Sequence, residues 1–310
     1  MSIVWLPDPS ALRLMGGLPD GLVADVWTGG SDLPSSADSV EIVIPPFPVS
    51  RPHLPLLAEL PKLRLIQLLS AGAEKVIPYV PPGVTLCTAR GAHDDTVAEW
   101  VLSVVLAQLH DLPRFVRSQQ EGRWDFTLTD ELAGRTVLIL GYGSIGAAVA
   151  RRLDGFGVRV LPVARSARPA PDGTAVHGID ELPGLLTQAD IVVLLVPVTP
   201  ATERMVDAAF LARLPDGALM VNAARGAIVD TDALLAELTS GRLRAALDVT
   251  DPEPLTGGHP LWSAPGLLLT PHVAGAGGKP MARALAVAKA QLVRYVAGEP
   301  LLNVVGEGGY

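Results

Sequence analysis

Short apolar runs closed by glycine or proline recur along this chain, and they set the expected fold. In the first third, residues 3–5, 23–27, 40–44, 65–69 and 85–87 have the length and composition of strands. Pro45-Pro46, Pro78, Pro81-Pro82 and Gly83 interrupt the chain between them. From Asp95 to about Arg117 the period changes. Val97, Val101, Val104, Val105, Leu109 and Leu112 recur near helical spacing, which predicts one long helix. A second series of strands follows at 137–140, 158–163, 191–196, 219–222, 245–249 and 267–269, and an Ala-rich helix is expected over about 280–295. Strands that are apolar throughout, rather than alternating, belong to parallel sheets covered on both faces. The expected class is therefore α/β. The helices near 95–117 and 280–295 read as crossovers, so one domain is expected to draw on both ends of the chain.

The strand at 137–140 runs into Gly141-Tyr142-Gly143-Ser144-Ile145-Gly146, and a helix-compatible segment and the strand at 158–163 come next. Strand, G-x-G-x-x-G, helix and strand in that order form the context of a dinucleotide site. Gly141 makes the tight turn, Gly143 lets backbone N–H groups approach a pyrophosphate, and Gly146 lets the helix sit close to the sheet. The helix N-terminus adds partial positive charge. NAD sites place a carboxylate at the end of the second strand, for the adenosine ribose. This strand ends in Ala164-Arg165-Ser166-Ala167-Arg168 instead. Two guanidinium groups and a hydroxyl suit a phosphate. The cofactor expected from Arg165, Ser166 and Arg168 is NADP(H), with NAD(H) as a possible substitute.

Composition narrows the function classes. A chain of 310 residues accommodates two domains with their own cores. A net charge of −8 gives no overall basic field for nucleic acid. The single cysteine, Cys87, excludes an internal disulfide framework and fits a reducing cytosol. No secretory n- and h-region opens the chain, and no apolar run reaches the ~18–20 residues of a membrane span. The expected setting is cytoplasmic, without a membrane partner, and no metal site is expected.

Three further clusters follow strands: Asn222-Ala223-Ala224-Arg225-Gly226, Asp248-Val249-Thr250-Asp251-Pro252-Glu253 and Thr270-Pro271-His272. Open α/β sheets place ligands at this edge. An Arg, a Glu and a His at three strand ends after a dinucleotide motif form a candidate reaction centre.

Together with the segment from Ala89 to Glu99, Gly122-Arg123-Trp124, Leu132-Ala133-Gly134 and Val196-Pro197-Val198-Thr199-Pro200, these residues resemble the D-isomer-specific 2-hydroxyacid dehydrogenase family over nearly the whole chain. The resemblance implies two Rossmann-like domains with parallel sheets. A dinucleotide-binding domain, residues 99–278, would be inserted into a flavodoxin-like substrate domain, residues 1–98 and 279–310. It implies that Arg225, Glu253 and His272 are catalytic and that Asp248 contacts the nicotinamide carboxamide. Val196, Pro197 and Ala223 would join the glycine motif on the cofactor. Ser70, Ala71 and Gly72 would hold the substrate carboxylate through backbone N–H groups, with Arg225 and His272 also on the substrate. A homodimer is implied through the helix near 95–117, with Leu102, Val105 and Leu109 as candidate exposed positions. Thr250 stands where an aromatic residue is common, and Arg90 where proline is. Formate-oxidising relatives carry Gln at the position of Glu253, which argues against formate.

The activity implied is reduction of a 2-keto acid such as glyoxylate or hydroxypyruvate. His272 would be the general acid, Glu253 its partner, and Arg225 the group binding carboxylate and carbonyl. One alternative is NAD-dependent D-3-phosphoglycerate oxidation, weakened by the absent ribose acid and by the lack of any visible regulatory domain. Another is a dinucleotide-sensing, corepressor-like binding protein. Turnover of a 2-keto acid separates the enzyme from the sensor.

Overall fold

The computed structural model describes residues 1–49 and 51–306. The chain forms two compact units: Met1–His93 with Ala276–Tyr310, and Asp94–Gly275.

The first unit is built on five parallel strands: β1 (Ser2–Leu6), β2 (Leu22–Val26), β3 (Val40–Val43), β4 (Leu65–Gln67) and β5 (Thr85–Cys87). Their order, β2-β1-β3-β4-β5, is the flavodoxin-like winding. Alternate residues of each strand serve opposite faces. Val4, Leu6, Ile42 and Leu65 pack against Ala284, Leu285, Ala288 and Leu292 of the helix Gly278–Ala297. Trp5, Val43 and Ile66 pack against Trp27, Leu54 and Leu57 on the other side. Small alanines let that helix lie close to the sheet, which explains its Ala-rich sequence. Gln291, buried on the same helix, exchanges two hydrogen bonds with the backbone of Leu302, at 2.7 and 2.9 Å. Cys87 is buried and free, and burial pushes its thiol up to about 11, so little thiolate exists near neutrality.

The second unit carries β6 (Thr136–Leu140), β7 (Arg159–Val163), the short hairpin β8 (Arg168–Pro169) and β9 (Ala175–Val176), then β10 (Ile191–Leu194), β11 (Leu219–Asn222), β12 (Arg244–Leu247) and β13 (Leu267–Leu269). Six of these form a parallel sheet ordered β13-β12-β11-β10-β6-β7. His177 extends it past β7 through a parallel bridge to Val163. Its N–H donates to Pro162 at 2.9 Å and its carbonyl accepts from Ala164 at 3.0 Å. Counted with that bridge, the winding is the dinucleotide-binding order in which the first strand lies at the centre and the chain then reverses direction. Leu138 and Leu140 face one core and Val137 and Ile139 the other. The strands are thus buried on both sides, as their unbroken apolar runs require.

Two expectations about the helices need correction. The single helix read over 95–117 is two, Asp94–Leu109 and Leu112–Gln120. Asp111 between them has a left-handed backbone, φ 54°. Pro113 lacks the N–H that would continue the ladder, yet is tolerated in the first turn of a new helix. The apolar period runs through the break and hides it. Nor do the candidate dimer positions form an exposed face. Val105 and Leu109 are each 2 % exposed, and Leu102 packs on the same core. That helix face is spent inside its own unit, against the sheet and the helix Ser144–Leu153. The exposed apolar side chains lie further on, at Leu112, Val116, Trp124, Phe126 and Leu128. Among the described residues no helix is long and apolar enough to cross a membrane.

Candidate active site

The glycine loop connects β6 to the helix Ser144–Leu153. Gly141 has φ +107°, and a β-carbon there would lie 2.6 Å from the backbone carbon of Leu195. A β-carbon on Gly146 would lie 2.7 Å from the carbonyl oxygen of Gly141. Both positions exclude a side chain, so the helix start is pressed onto the turn. Gly143 caps the helix without a side chain, and first-turn amides, including those of Ile145 and Gly146, have no partner within the helix. That is the donor set an anionic pyrophosphate fits. The Ser144 hydroxyl donates to Asp94 at 3.2 Å. The Tyr142 side chain is buried, which raises its phenol above the ordinary range, and nearby Asp172 adds to the effect.

At the end of β7, Arg165 and Ser166 are exposed. Arg168 is exposed as well. It lies on β8, and its guanidinium donates to the Tyr142 carbonyl at 2.8 Å, tying the hairpin to the glycine loop. Val196 and Pro197 follow β10, half-buried, and Ala223 follows β11. Ser70, Ala71 and Gly72 belong to the other unit, where they follow β4. The Ser70 hydroxyl is used within that loop, donating to the Gly72 carbonyl at 2.6 Å.

Arg225, Glu253 and His272 follow β11, β12 and β13, three strands adjacent in the sheet. Asn222, fully buried, shapes the arginine loop. Its side chain donates to the Arg225 carbonyl at 2.9 Å and accepts from the Ala224 N–H at 3.0 Å. The Arg225 guanidinium donates to the Ala224 carbonyl at 2.6 Å. Gly226 then passes so close to Thr250 that a β-carbon on it would collide with the Thr250 carbonyl. That contact locks the arginine loop to the loop carrying Glu253. Glu253 Oε1 lies 2.7 Å from His272 Nδ1, with the side chains 33 % and 43 % exposed.

Asp248, 2 % exposed, holds the histidine turn. Oδ1 accepts from the Thr270 hydroxyl at 2.6 Å and the Val273 N–H at 2.8 Å, and Oδ2 from the Ala274 N–H at 2.8 Å. The Asp248 carbonyl accepts from the His272 N–H at 2.7 Å. His272 itself has φ 55°, a left-handed conformation uncommon among residues with a side chain. The Trp100 indole N–H donates to the Thr270 hydroxyl at 3.1 Å. Sequence reasoning missed Asn222, Thr270 and Trp100. A polar Asn closing the apolar strand Leu219–Asn222 was the available signal for the first. Trp100 and Thr270 lie 170 positions apart, and no spacing argument joins them.

A family model described as the NAD binding domain of D-isomer specific 2-hydroxyacid dehydrogenases matches residues 102–274. The chain belongs to the D-isomer specific 2-hydroxyacid dehydrogenase family. A glycerate dehydrogenase of Methylorubrum extorquens is 34% identical to it over 80% of this chain and 81% of its own length. Among solved structures, a dehydrogenase of this family from Xanthobacter autotrophicus Py2, in complex with NADPH and MES, is similar with a TM-score of 0.84 and 32% identity, covering 98% of each chain. An NADPH-dependent glyoxylate/hydroxypyruvate reductase from Sinorhizobium meliloti, in complex with NADP and sulfate, has a TM-score of 0.86 and 26% identity over 100% of each chain. As a member of this dehydrogenase family the chain is an oxidoreductase that transfers a hydride with a nicotinamide dinucleotide, on the two-domain Rossmann-like fold of its relatives.

The Gly226 contact gives a test of the site's construction. Gly226→Ala must push the arginine loop away from Thr250. It is expected to lower kcat/KM by about 10²-fold, the scale of a 1 Å misplacement. Dinucleotide affinity, measured by fluorescence titration, should change far less.

Proposed function

We propose that the protein is an NADP(H)-preferring reductase of small 2-keto acids of the glyoxylate and hydroxypyruvate kind. His272 acts as general acid, Glu253 as its partner, and Arg225 as the clamp on carboxylate and carbonyl. The observation that carries this reading is the 2.7 Å contact between His272 Nδ1 and Glu253 Oε1 at two adjacent strand ends of the dinucleotide-binding sheet. In it, residues 94–275 bind the dinucleotide. The Ser70 hydroxyl is used within its own loop, which leaves backbone amides there as the donors for a carboxylate.

Reduction adds a hydride to C2 and a proton to the carbonyl oxygen. Bound NADPH supplies the hydride. The residues of the chain do the rest. With Nδ1–H directed to Glu253, His272 presents Nε2–H as the proton to be delivered. Glu253 stabilises the imidazolium and fixes the ring's rotation. Arg225 offers a planar fork matched to a carboxylate and stabilises charge developing on the carbonyl oxygen. Asp248 uses three of its roughly four lone-pair sites on the histidine turn. One acceptor site on Oδ2 remains for the carboxamide expected there. A phosphoglycerate-type NAD enzyme would require a carboxylate after β7, where Ala164-Arg165-Ser166 stands.

His272→Ala is expected to reduce kcat by about 10²–10⁴-fold, the scale of losing a general acid. Glu253→Gln keeps the shape but removes the charge that favours the protonated ring. It is expected to lower kcat by about tenfold, the scale of one lost charge-assisted hydrogen bond. A kcat equal to that of the wild type removes Glu253 from its role.

Cofactor choice is tested at Arg165, exposed at the end of β7. A charge-assisted hydrogen bond is worth about 1.5–3 kcal/mol, and ~1.4 kcal/mol is tenfold. Arg165→Ala should therefore cost about tenfold or more in kcat/KM with NADPH and much less with NADH. The gap should narrow in high salt. Equal losses with both cofactors would reduce Arg165 to a solvated loop residue.

A homodimer belongs to the same reading, through a different surface from the one expected. Trp124, Phe126 and Leu128 are 96 %, 82 % and 88 % exposed, and Leu112 and Val116 are exposed as well. Large apolar side chains left this exposed are the kind of surface that an interface covers. Light scattering at micromolar concentration should give twice the chain mass, and Trp124→Ser with Phe126→Ser should give the monomer. A wild-type monomer would overturn this.

A further inference from the structure

We infer that Thr270 and Trp100 are positioning residues of the reaction: through Asp248 they fix the main chain of His272, independently of Glu253. The inference rests on His272 being the general acid.

The argument begins with hydrogen-bond direction. An indole N–H can only donate, and an ionised carboxylate can only accept. The Thr270 hydroxyl lies between the two, 3.1 Å from Trp100 Nε1 and 2.6 Å from Asp248 Oδ1. Its single hydrogen must point at Asp248, and a lone pair must face Trp100. The rotor is therefore fixed, and the chain Trp100→Thr270→Asp248 polarises in one direction.

What Asp248 does with this order is visible around His272. Its carboxylate takes the N–H groups of Val273 and Ala274, and its carbonyl takes the N–H of His272. The histidine is thus held on both sides while its own backbone sits at φ 55°. A bulky residue persists in that region only where its surroundings over-determine it. Without the hydroxyl, Oδ1 keeps a single donor and the carboxylate is free to rotate toward it. The turn would then relax toward ordinary backbone angles, carrying Nε2 away from the carbonyl oxygen it must reach. Trp100 lies on the helix Asp94–Leu109, and Thr270 directly follows β13. The acid's position is therefore referenced to the packed interior of its unit rather than to the exposed glutamate loop.

The two supports of His272 should separate in kinetics. Glu253 acts on the ring's charge. Thr270 acts on the ring's place, and its loss should leave the pH limb unmoved. Thr270→Val, nearly isosteric, is expected to lower kcat by about 10–10²-fold, as for a misplaced group, with KM for the keto acid changed by no more than about threefold. Thr270→Ser, which restores the hydroxyl, should return kcat to within about threefold of wild type. Trp100→Phe should give a smaller fall, about threefold to tenfold, again with the pH limb in place.

The experiment is kcat and KM against pH for these three variants, with His272→Asn run beside them. If His272→Asn turns over like the wild type, the general-acid reading fails. If His272→Asn is inactive while Thr270→Val keeps wild-type kcat, or Thr270→Ser is as impaired as Thr270→Val, the positioning role alone is overturned. A pH limb that moves in Thr270→Val would also overturn it, by making Thr270 part of the charge balance. Should Thr270→Val fail to fold, Trp100→Phe and Thr270→Ser decide: the role stands on a fall in the first with recovery in the second, and falls otherwise.

Discussion

Parallel pairing of β11, β12 and β13 is the constraint on which the rest of the site depends. In a parallel ladder every strand ends at the same edge, and neighbouring strands are about 4.8 Å apart. Three loops that are distant in sequence must therefore leave the sheet side by side. The register Asn222↔Leu247 and Leu247↔Leu269 fixes where each departs. Arg225, Glu253 and His272 then lie within three to six residues of their strand ends. No long, adaptable connection is needed to gather them. What remains is to hold short loops in shape. Asn222 does this for the arginine, the absence of a side chain at Gly226 for the contact between two loops, and Asp248 for the histidine.

Much of this was legible from the residue pattern, and the reasons differ by element. Unbroken apolar runs such as Val137 to Leu140 and Leu219 to Val221 signalled parallel strands because burial on both faces removes any need for a polar position. The glycine motif was legible because backbone collisions at Gly141 and Gly146 leave no alternative residue. Polar residues just past strands stood out against apolar surroundings. What escaped was decided by contacts between distant segments. Asp111 breaks a helix whose apolar period continues across it. Arg168 is tied to the Tyr142 carbonyl by a hairpin of two-residue strands, a contact that its place after β7 does not announce. The apolar positions of the helix Asp94–Leu109 face its own unit, because the helix Ser144–Leu153 packs against it. Spacing reveals that a helix has an apolar face and is silent on which neighbour covers it.

The chemistry of the site separates two demands that a single contact would meet poorly. The pair formed by Glu253 and His272 is partly solvated, and an ion pair in that setting contributes only about 0–1 kcal/mol to stability. It is too weak to hold a turn in a left-handed conformation. It is well suited to setting the charge of a ring that, in the proposed mechanism, gains and loses a proton in each cycle. Asp248 has the opposite character. It is buried, it accepts three hydrogen bonds, and bonds to a charged group contribute about 1.5–3 kcal/mol each. Losing one donor there exposes a desolvated charge, so the arrangement resists small displacements.

In the proposed mechanism the histidine turn is therefore held by groups that take no part in proton transfer. If Glu253 both held the turn and tuned the ring, each change of His272 charge would also change the force on the loop, and the acid would shift as it worked. With the main chain fixed through Asp248, Thr270 and Trp100, the imidazole can change charge against a stationary backbone. The electrostatic partner can then remain accessible to water and substrate, where a proton donor must be recharged. A buried carboxylate beside a candidate acid is easily read as a second catalytic acid. Here its hydrogen bonds run to backbone amides and to a hydroxyl fixed by an indole, so its physical role is to set position.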